Sequence, residues 1–456
     1  MQWVSVDDTL SLWLPSPAPS PRPPPRVIHC RDYISAVGLV RTDPGRSYPC
    51  ESVGPYLLVV ALRECVELYS LHQTGTELVV LETGMEVPVE SMVSSMVCTD
   101  NGRVLVGCSD GCVYELHYSQ AAAPALSLSS MWRPTKMRKT SCQGLRWGEI
   151  GRRVTSLWQP YVADPVVQMT YDPSRHVVFA VTQNKPGLGG QAGGSMQGHN
   201  TLIHAYQLGT SGDSAPRHIG PVKLSLIASS VSPANREIIA IHPILVSESS
   251  RMSCVLVSST GYRFYVHLDD RSRMALRMVK PPPPLNSSGG LASSSRQVSS
   301  PQGVGMGRRS EDIARVQASV YCNGVFILCL PGWVVCCCQD RNKESYRSSG
   351  EAREVYSLFQ VPNDSLGQPV HMWQVAEIET TMRWGDVSLL TRDQKMRTTH
   401  DLWTQHLAHP RRFIVLGSSG LLVLHRYLCV YAFIHPFKHV RKSHSSLNKS
   451  SRPYES

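Results

Sequence analysis

The sequence predicts an all-β chain, and three observations predict it. Short apolar runs stop seven times at a tight Gly- or Asp-containing turn and then resume as a second run. The chain holds 33 Gly and 32 Pro among 456 residues, a supply of turn formers suited to many short strands. Its hydrophobic fraction of 42% is enough for a substantial core. A strand–turn–strand module that recurs along a chain is the pattern of a β-propeller. Seven modules predict seven blades, with the first blade starting incomplete and long disordered insertions between the blades.

The first module is Trp3 to Leu14, turned near Asp7-Asp8-Thr9; it begins almost at Met1, which leaves no room for an earlier strand. The second joins Leu57–Leu62 to Cys65–Leu71. The third and clearest runs Val104-Leu105-Val106-Gly107-Cys108, turns through Ser109-Asp110-Gly111, and resumes as Cys112 to Leu116. The fourth pairs Val177–Val181 with Thr201–Leu208 across a Gly-rich insertion. The fifth is Val255 to Val266 around Thr260-Gly261, and the sixth is Gly324 to Cys336 around Pro331-Gly332. The seventh is Phe413 to His425 around Gly417-Ser418-Ser419-Gly420. Weaker strands fall between them at Ile34–Val40, Val166–Thr170 and Met372–Val375. Asp100-Asn101-Gly102 reads as a further turn.

The modules are spaced more widely than the ~40–50 residues of a compact blade. Three insertions account for the excess: Pro15 to Pro25, about Asn184 to Asn200, and Pro281 to Ser310. They lack periodicity and read as mobile surface loops. Residues 1–426 are therefore assigned to the propeller. Residues 427–456, with Lys438, Arg441, Lys442 and several serines, read as a disordered basic tail.

The chain carries 45 Lys+Arg against 35 Asp+Glu, a net charge of +10, which favours an acidic partner surface unless the charge is simply solvated. Most of the 14 Cys sit inside apolar runs, where a thiol acts as a small buried hydrophobe. The N-terminus has no secretory h-region, so reduced thiols and an intracellular protein are expected. Cys108 and Cys112 flank one turn with no second pair at zinc spacing, so no metal is expected there. No window reaches the ~18 uninterrupted apolar residues of a spanning helix.

Enzyme motifs are poor. Gly187 to Gly194 is Gly-rich without the Lys-Ser/Thr of a phosphate cradle, and no helix follows Gly417 to Gly420 as a nucleophile elbow requires. His204 and His425 sit within strands, where structural histidines are the default. The reading is a non-enzymatic protein with no cofactor and no small-molecule substrate.

One segment carries a different signal. Trp147, Ile150, Val154, Leu157, Trp158 and Tyr161 fall on one face of a helix, while Arg146, Glu149, Arg152, Arg153 and Gln159 lie on the other. An aromatic face opposite a basic face suits a helix lying in a bilayer interface. Each Lys or Arg near an anionic leaflet adds about 1 kcal/mol. Pro160 ends the helix. The alternative is a helix packed on the propeller side, or strand residues of the next blade.

The block Thr99 to Tyr118, with Thr99-Asp100-Asn101-Gly102-Arg103 leading into the third module, resembles the large scaffold nucleoporins of the hundred-and-fifty-five-kilodalton class. Supporting segments are Trp3–Trp13, Ile34–Val40, Val255–Tyr265 and Phe413–His425, in order over residues 1 to about 426. The resemblance implies a seven-bladed N-terminal propeller in the inner ring of the nuclear pore complex. It further implies scaffolding of other nucleoporins, contact with the pore membrane, support of nucleocytoplasmic transport, and location at the nuclear envelope. In that family a membrane-curvature-sensing loop corresponds to Arg153 through Val162 here. The membrane-binding residues expected are Trp147, Ile150, Arg152, Arg153, Val154, Leu157, Trp158, Tyr161 and Val162. Here the polar face is basic, whereas such sensors usually carry Ser, Thr and Gly. The chain also departs from the family in lacking the N-terminal extension and the α-helical solenoid, and in its tail after Arg426. The competing reading is a generic propeller adaptor or a basic nucleic-acid-binding module, with nucleic acid the less expected partner.

Overall fold

The computed structural model describes residues 2–13, 25–42, 53–74, 77–118, 138–142, 164–184, 201–209, 214–269, 273–283, 315–322, 324–339, 354–363, 367–378, 411–418 and 420–426. These fold into seven antiparallel sheets. Blade 1 is β1 (Gln2–Val6), β2 (Thr9–Trp13) and β3 (Arg26–His29). Blade 2 is β4 (Ile34–Arg41), β5 (Tyr56–Leu62), β6 (Cys65–Thr74) and β7 (Glu77–Pro88). Blade 3 is β8 (Val93–Cys98), β9 (Val104–Cys108), β10 (Val113–His117) and β11 (Arg138–Ser141). Blade 4 is β12 (Val166–Asp172), β13 (Val177–Gln183), β14 (Thr201–Gln207) and β15 (Arg217–Lys223). Blade 5 is β16 (Ile238–Pro243), β17 (Cys254–Ser258), β18 (Arg263–Leu268) and β19 (Met274–Lys280).

These five blades form one compact unit, Met1–Lys280. The second unit, Pro281–Ser456, holds the remaining two. Blade 6 is β20 (Ala318–Cys322), β21 (Val325–Leu330), β22 (Trp333–Gln339) and β23 (Glu354–Gln360); blade 7 is β24 (Met372–Ile378), β25 (Arg411–Gly417) and β26 (Gly420–Arg426). The fold class is the predicted one, a seven-bladed β-propeller. All seven predicted modules appear as adjacent strand pairs, one per blade, and the three weaker strands are β4, β12 and β24. The proposed tail, 427–456, lies outside the described residues.

Packing explains why the second strand of most blades is an unbroken apolar run. In β5, Leu57, Val59 and Ala61 point into a core shared with blade 3. The alternate residues Leu58, Val60 and Leu62 point into a core shared with Leu10 and Leu12 of blade 1. Both faces of the strand are covered, so the period of two divides side chains between two cores and leaves no polar face. The pattern repeats in β13: Val177, Phe179 and Val181 face blade 5, while Val178 and Ala180 face blade 3. In the second unit one core lies between blades 6 and 7. Each such Val, Leu or Phe contributes about 1.5–3 kcal/mol on burial.

Within each unit first strands pack on one another: β4 on β8, β8 on β12, β12 on β16, and, in the second unit, β20 on β24. Five of these strands, β4, β8, β12, β16 and β24, carry a β-bulge at their second residue or, equivalently, a register shift across Ser35, Ser94, Val167, Ile239 and Trp373. A bulge bends a strand and increases its twist. In two blades the bulged residue is a serine that closes the gap by donating to the neighbouring strand: Ser35 Oγ to the Ala61 carbonyl at 3.1 Å, and Ser94 Oγ to the Gly107 carbonyl at 3.1 Å. Ser94 also donates to the Val166 carbonyl of blade 4.

Turn chemistry repeats with equal regularity. In the third module Gly111 N donates to the Cys108 carbonyl at 3.1 Å and Cys108 N to the Cys112 carbonyl at 3.0 Å, with Gly111 at φ 77°. The fifth module matches it: Gly261 N to Ser258 at 2.9 Å, Ser258 N to Tyr262 at 2.9 Å, and Gly261 at φ 87°. This is a three-residue hairpin loop whose last residue must be left-handed, which selects glycine. Asp110 acts as the sequence suggests, accepting from Cys112 N at 2.9 Å and from the Tyr114 hydroxyl at 2.8 Å.

Gly107 has a different duty. A Cβ there would lie 2.5 Å from Val166 Cγ1 and 2.7 Å from Met169 Sδ, both on β12, so the glycine sets how closely blades 3 and 4 approach. Gly107→Ala should cost about 1–3 kcal/mol as overpacking, and Leu58→Ala about 2–5 kcal/mol through lost burial and a cavity. Urea unfolding of the full chain checks both, and an unchanged midpoint for Gly107→Ala would contradict the close packing.

Candidate functional site

The expected membrane-binding residues, Trp147, Ile150, Arg152, Arg153, Val154, Leu157, Trp158, Tyr161 and Val162, lie outside the described residues, in the connection from β11 to β12. The frame of that connection is described. On the blade 3 side Cys142 N donates to the Val113 carbonyl at 2.9 Å. On the blade 4 side Gln183 N donates to the Pro165 carbonyl at 3.0 Å. Buried Cys142 and Val166 enter the same apolar cluster with Leu105, Val113, Met169 and Tyr206. The connection thus leaves from and returns to one core, between blades 3 and 4.

The block that carries the sequence resemblance surrounds this frame. Its turn is closed by Thr99 N to the Arg103 carbonyl at 2.9 Å and by Gly102 N to the Thr99 carbonyl at 3.2 Å, with Gly102 at φ 79°. Thr99 Oγ1 accepts from Arg103 N at 2.9 Å, and the Tyr118 hydroxyl donates to the Gly102 carbonyl. Behind the turn lies a buried ion pair. Arg103 Nε donates to Glu115 Oε1 at 2.6 Å and Nη2 donates to Oε2 at 2.9 Å, with the two side chains 1% and 4% exposed. Nη2 also donates to the Ser214 carbonyl at 3.0 Å, which joins blade 3 to the β14–β15 loop of blade 4. Such a two-pronged pair offsets the desolvation of its charges only while both partners are present.

A second arginine spans the next boundary. Arg175, in the β12–β13 turn, donates through Nη1 to Asp172 Oδ2 and to the Ile244 carbonyl, both at 2.6 Å. Its Nη2 donates to the Ser249 carbonyl at 2.7 Å and the Met252 carbonyl at 3.0 Å. One guanidinium therefore holds its own turn and the β16–β17 loop of blade 5.

The other residues weighed for chemistry are structural where they are described. His204 lies on β14 with Nε2 3.2 Å from Thr182 Oγ1 and Nδ1 3.2 Å from His218 Nε2. Gly417 and Gly420 pair across the turn that joins β25 to β26. His425 is on β26, and Gly187 to Gly194 lies outside the described residues. Cys108 and Cys112 close a hairpin turn. Cys30, Cys65, Cys98, Cys142, Cys254 and Cys329 are free thiols. Burial pushes the Cys98 and Cys329 thiols up to about 12, and raises Cys142 and Cys254 as well. Among the described residues no helix is long and apolar enough to cross a membrane.

One group of possible ligands went unnoticed in the sequence: Cys65, Glu67 and Glu86, gathered on blade 2. Its signal was present as a Cys-x-Glu at the start of a strand, where alternate residues share a face.

Comparison with known proteins agrees with this architecture. Residues 2–186 match the nucleoporin N-terminal family described as Nup133 N-terminal-like. Over 279 residues the chain is 24% identical to the nuclear pore complex protein Nup154 of Drosophila melanogaster, a match covering 58% of this chain and 18% of that protein. The structure superposes on the Nup170 N-terminal domain of Chaetomium thermophilum, solved in complex with Nup53, with a TM-score of 0.63 and 17% identity. That likeness covers 94% of this chain and 57% of the other.

Arg103→Ala strands a buried carboxylate and should cost about 3–5 kcal/mol in urea unfolding, while the Arg103→Met/Glu115→Leu double variant should recover most of it. A second expectation concerns the thiols. In native protein iodoacetamide should label Cys98, Cys142, Cys254 and Cys329 far more slowly than in urea, because the attacking species is the thiolate. Equal rates would contradict their burial.

Proposed function

We propose that the chain is an N-terminal propeller of the inner-ring scaffold nucleoporin type and serves as a structural constituent of the nuclear pore complex inner ring. The observation that carries this reading is the family match over residues 2–186, which spans the blades holding the Thr99 to Tyr118 block. The propeller resides at the nuclear envelope and supports nucleocytoplasmic transport by geometry, without turnover of a substrate. Stacked blades give a stiff body, and the connections between them carry contacts. A segment of another nucleoporin is the expected partner, a reading supported by the likeness to an N-terminal domain solved with Nup53.

The connection from β11 to β12 is the membrane contact. Its residues Trp147, Ile150, Val154, Leu157, Trp158, Tyr161 and Val162 supply apolar surface at headgroup depth. Arg152 and Arg153 add attraction to anionic lipid. The basic balance of the chain, +10, keeps one alternative in view, a nucleic-acid or acidic-partner adaptor. Salt separates the two, because phosphate binding weakens steeply as salt rises while insertion of apolar side chains does not.

Liposome flotation tests the membrane reading. Full chain should float with small vesicles containing anionic lipid at both low and moderate salt. The Leu157→Asp/Trp158→Asp double variant should stay at the bottom of the gradient. Equal flotation of the two proteins would remove the segment from the mechanism, and flotation abolished by moderate salt would favour the alternative.

A further inference from the structure

Three potential ligands converge on one face of blade 2. Cys65 and Glu67 are alternate residues at the start of β6, so they point the same way. Glu86 on β7 pairs directly with Glu67 in the strand register. The Cys65 thiol and one oxygen from each carboxylate all lie within 4.8 Å of one another. Two carboxylates directly opposite across a strand pair repel each other, and a cation between them relieves that repulsion.

In this structure the cation is a guanidinium. Arg31, in the connection from β3 to β4, donates through Nη2 to Cys65 Sγ at 2.9 Å and to Glu86 Oε2 at 2.6 Å. Its Nε lies 2.9 Å from Glu67 Oε1. The three ligand atoms therefore face a single centre. Glu67 is held for that task by its other oxygen, which accepts from the hydroxyl of Tyr69 at 2.8 Å. A partner that orients a ligand in this way is the usual support of a metal site.

The occupying arginine reaches solvent, although its partner Glu67 is only 17% exposed. The Arg31 side chain is 56% exposed and that of Glu86 55% exposed. It lies at the wall of a cavity of about 670 Å³ that Asp32, Arg63, Glu64, Cys65 and Glu86 also line. Exposed ion pairs of this kind are weak and screened by salt.

We propose that Cys65, Glu67 and Glu86 form a binding site for a divalent cation of the zinc class, with Arg31 occupying the centre until the ion displaces it. The donor set selects the metal. A thiolate with two carboxylates suits a borderline ion such as zinc, which accepts sulfur and oxygen in tetrahedral geometry, whereas magnesium and calcium prefer oxygen alone. Three protein ligands leave the fourth position to water. The ion binds the thiolate form of Cys65, so binding releases the thiol proton to solvent. Binding frees the Arg31 side chain from the blade 2 face, while Cys30 and Ile34 keep the β3–β4 connection in the core it shares with blade 2.

Cobalt(II) titration of the reduced full chain in a non-thiol reductant tests the site. One equivalent should give a thiolate-to-cobalt charge-transfer band that added zinc bleaches. Cys65→Ser should remove the band. Glu86→Gln, at an exposed position that leaves the fold intact, should weaken binding at least about tenfold, and Tyr69→Phe should weaken it about tenfold through the lost orientation of Glu67. Arg31→Ala should tighten binding about tenfold, since no guanidinium then competes. No band, a band that survives both Cys65→Ser and Glu86→Gln, or an affinity unmoved by Arg31→Ala would each overturn the proposal.

Discussion

Burial of a sheet on both of its faces is the constraint from which the rest of the structure follows. A blade between two neighbours has no solvent side for its second strand, so Leu57 to Leu62 cannot alternate apolar with polar. Each residue instead belongs to one of two cores, and each core belongs to two blades. Stability is then shared between neighbours, much as in repeat proteins where each unit is completed by the next. The same constraint fixes where small residues must stand. Gly38 and Gly107 lie where a Cβ would meet the first strand of the following blade, Met96 and Cys98 in one case and Val166 and Met169 in the other.

Hydrophobic faces are non-directional, and they leave the rotation of one blade on the next loosely specified. Arginines supply the direction. Arg103 reaches the Ser214 carbonyl of blade 4 and Arg175 reaches three carbonyls of the loop in blade 5. A guanidinium suits this work because its five donors are fixed in a plane and can serve several acceptors at once. Each arginine is also tied to a carboxylate within its own blade, Arg103 to Glu115 and Arg175 to Asp172, so its position is set before it crosses the boundary.

This division of labour explains what could be read from the sequence. The two middle strands of the four-stranded blades were legible because double burial writes them as apolar runs, and because glycine at 102, 111 and 261 marks the left-handed turn position. First strands such as β4 and β12 were faintly legible, since one part of each remains half-exposed. Outer strands were missed. In β7 and β15 only scattered residues are buried, Met85, Val87 and Ile219 among them, and even the apolar run Leu78 to Leu81 stays partly exposed. The bulges at Ser35, Ser94 and Trp373 leave no pattern, because they depend on register against a partner strand far away in sequence. The charged pairs did leave a trace. Glu67 and Glu115 are carboxylates inside otherwise apolar strands, and a charge in such a place must be paired. What the sequence withholds is the partner: Arg31 and Arg103 stand 36 and 12 residues away from those carboxylates.

The same architecture bears on how binding segments can be carried. The connection that holds Trp147 to Val162 departs at Cys142 and returns at Val166, and both residues are buried in the cluster between blades 3 and 4. Apolar contacts already made by the ends do not depend on what lies between them. A loop closed in this way pays an entropy that grows only slowly with its length, so long segments are tolerated between blades at little cost to the core. A load applied to such a segment is delivered at two anchored points of one core rather than to a free edge. There Arg103, Glu115 and the Ser214 carbonyl join the flanking blades. At the boundary that bears the proposed membrane contact, apolar packing, a close-approach glycine and a buried ion pair therefore coincide.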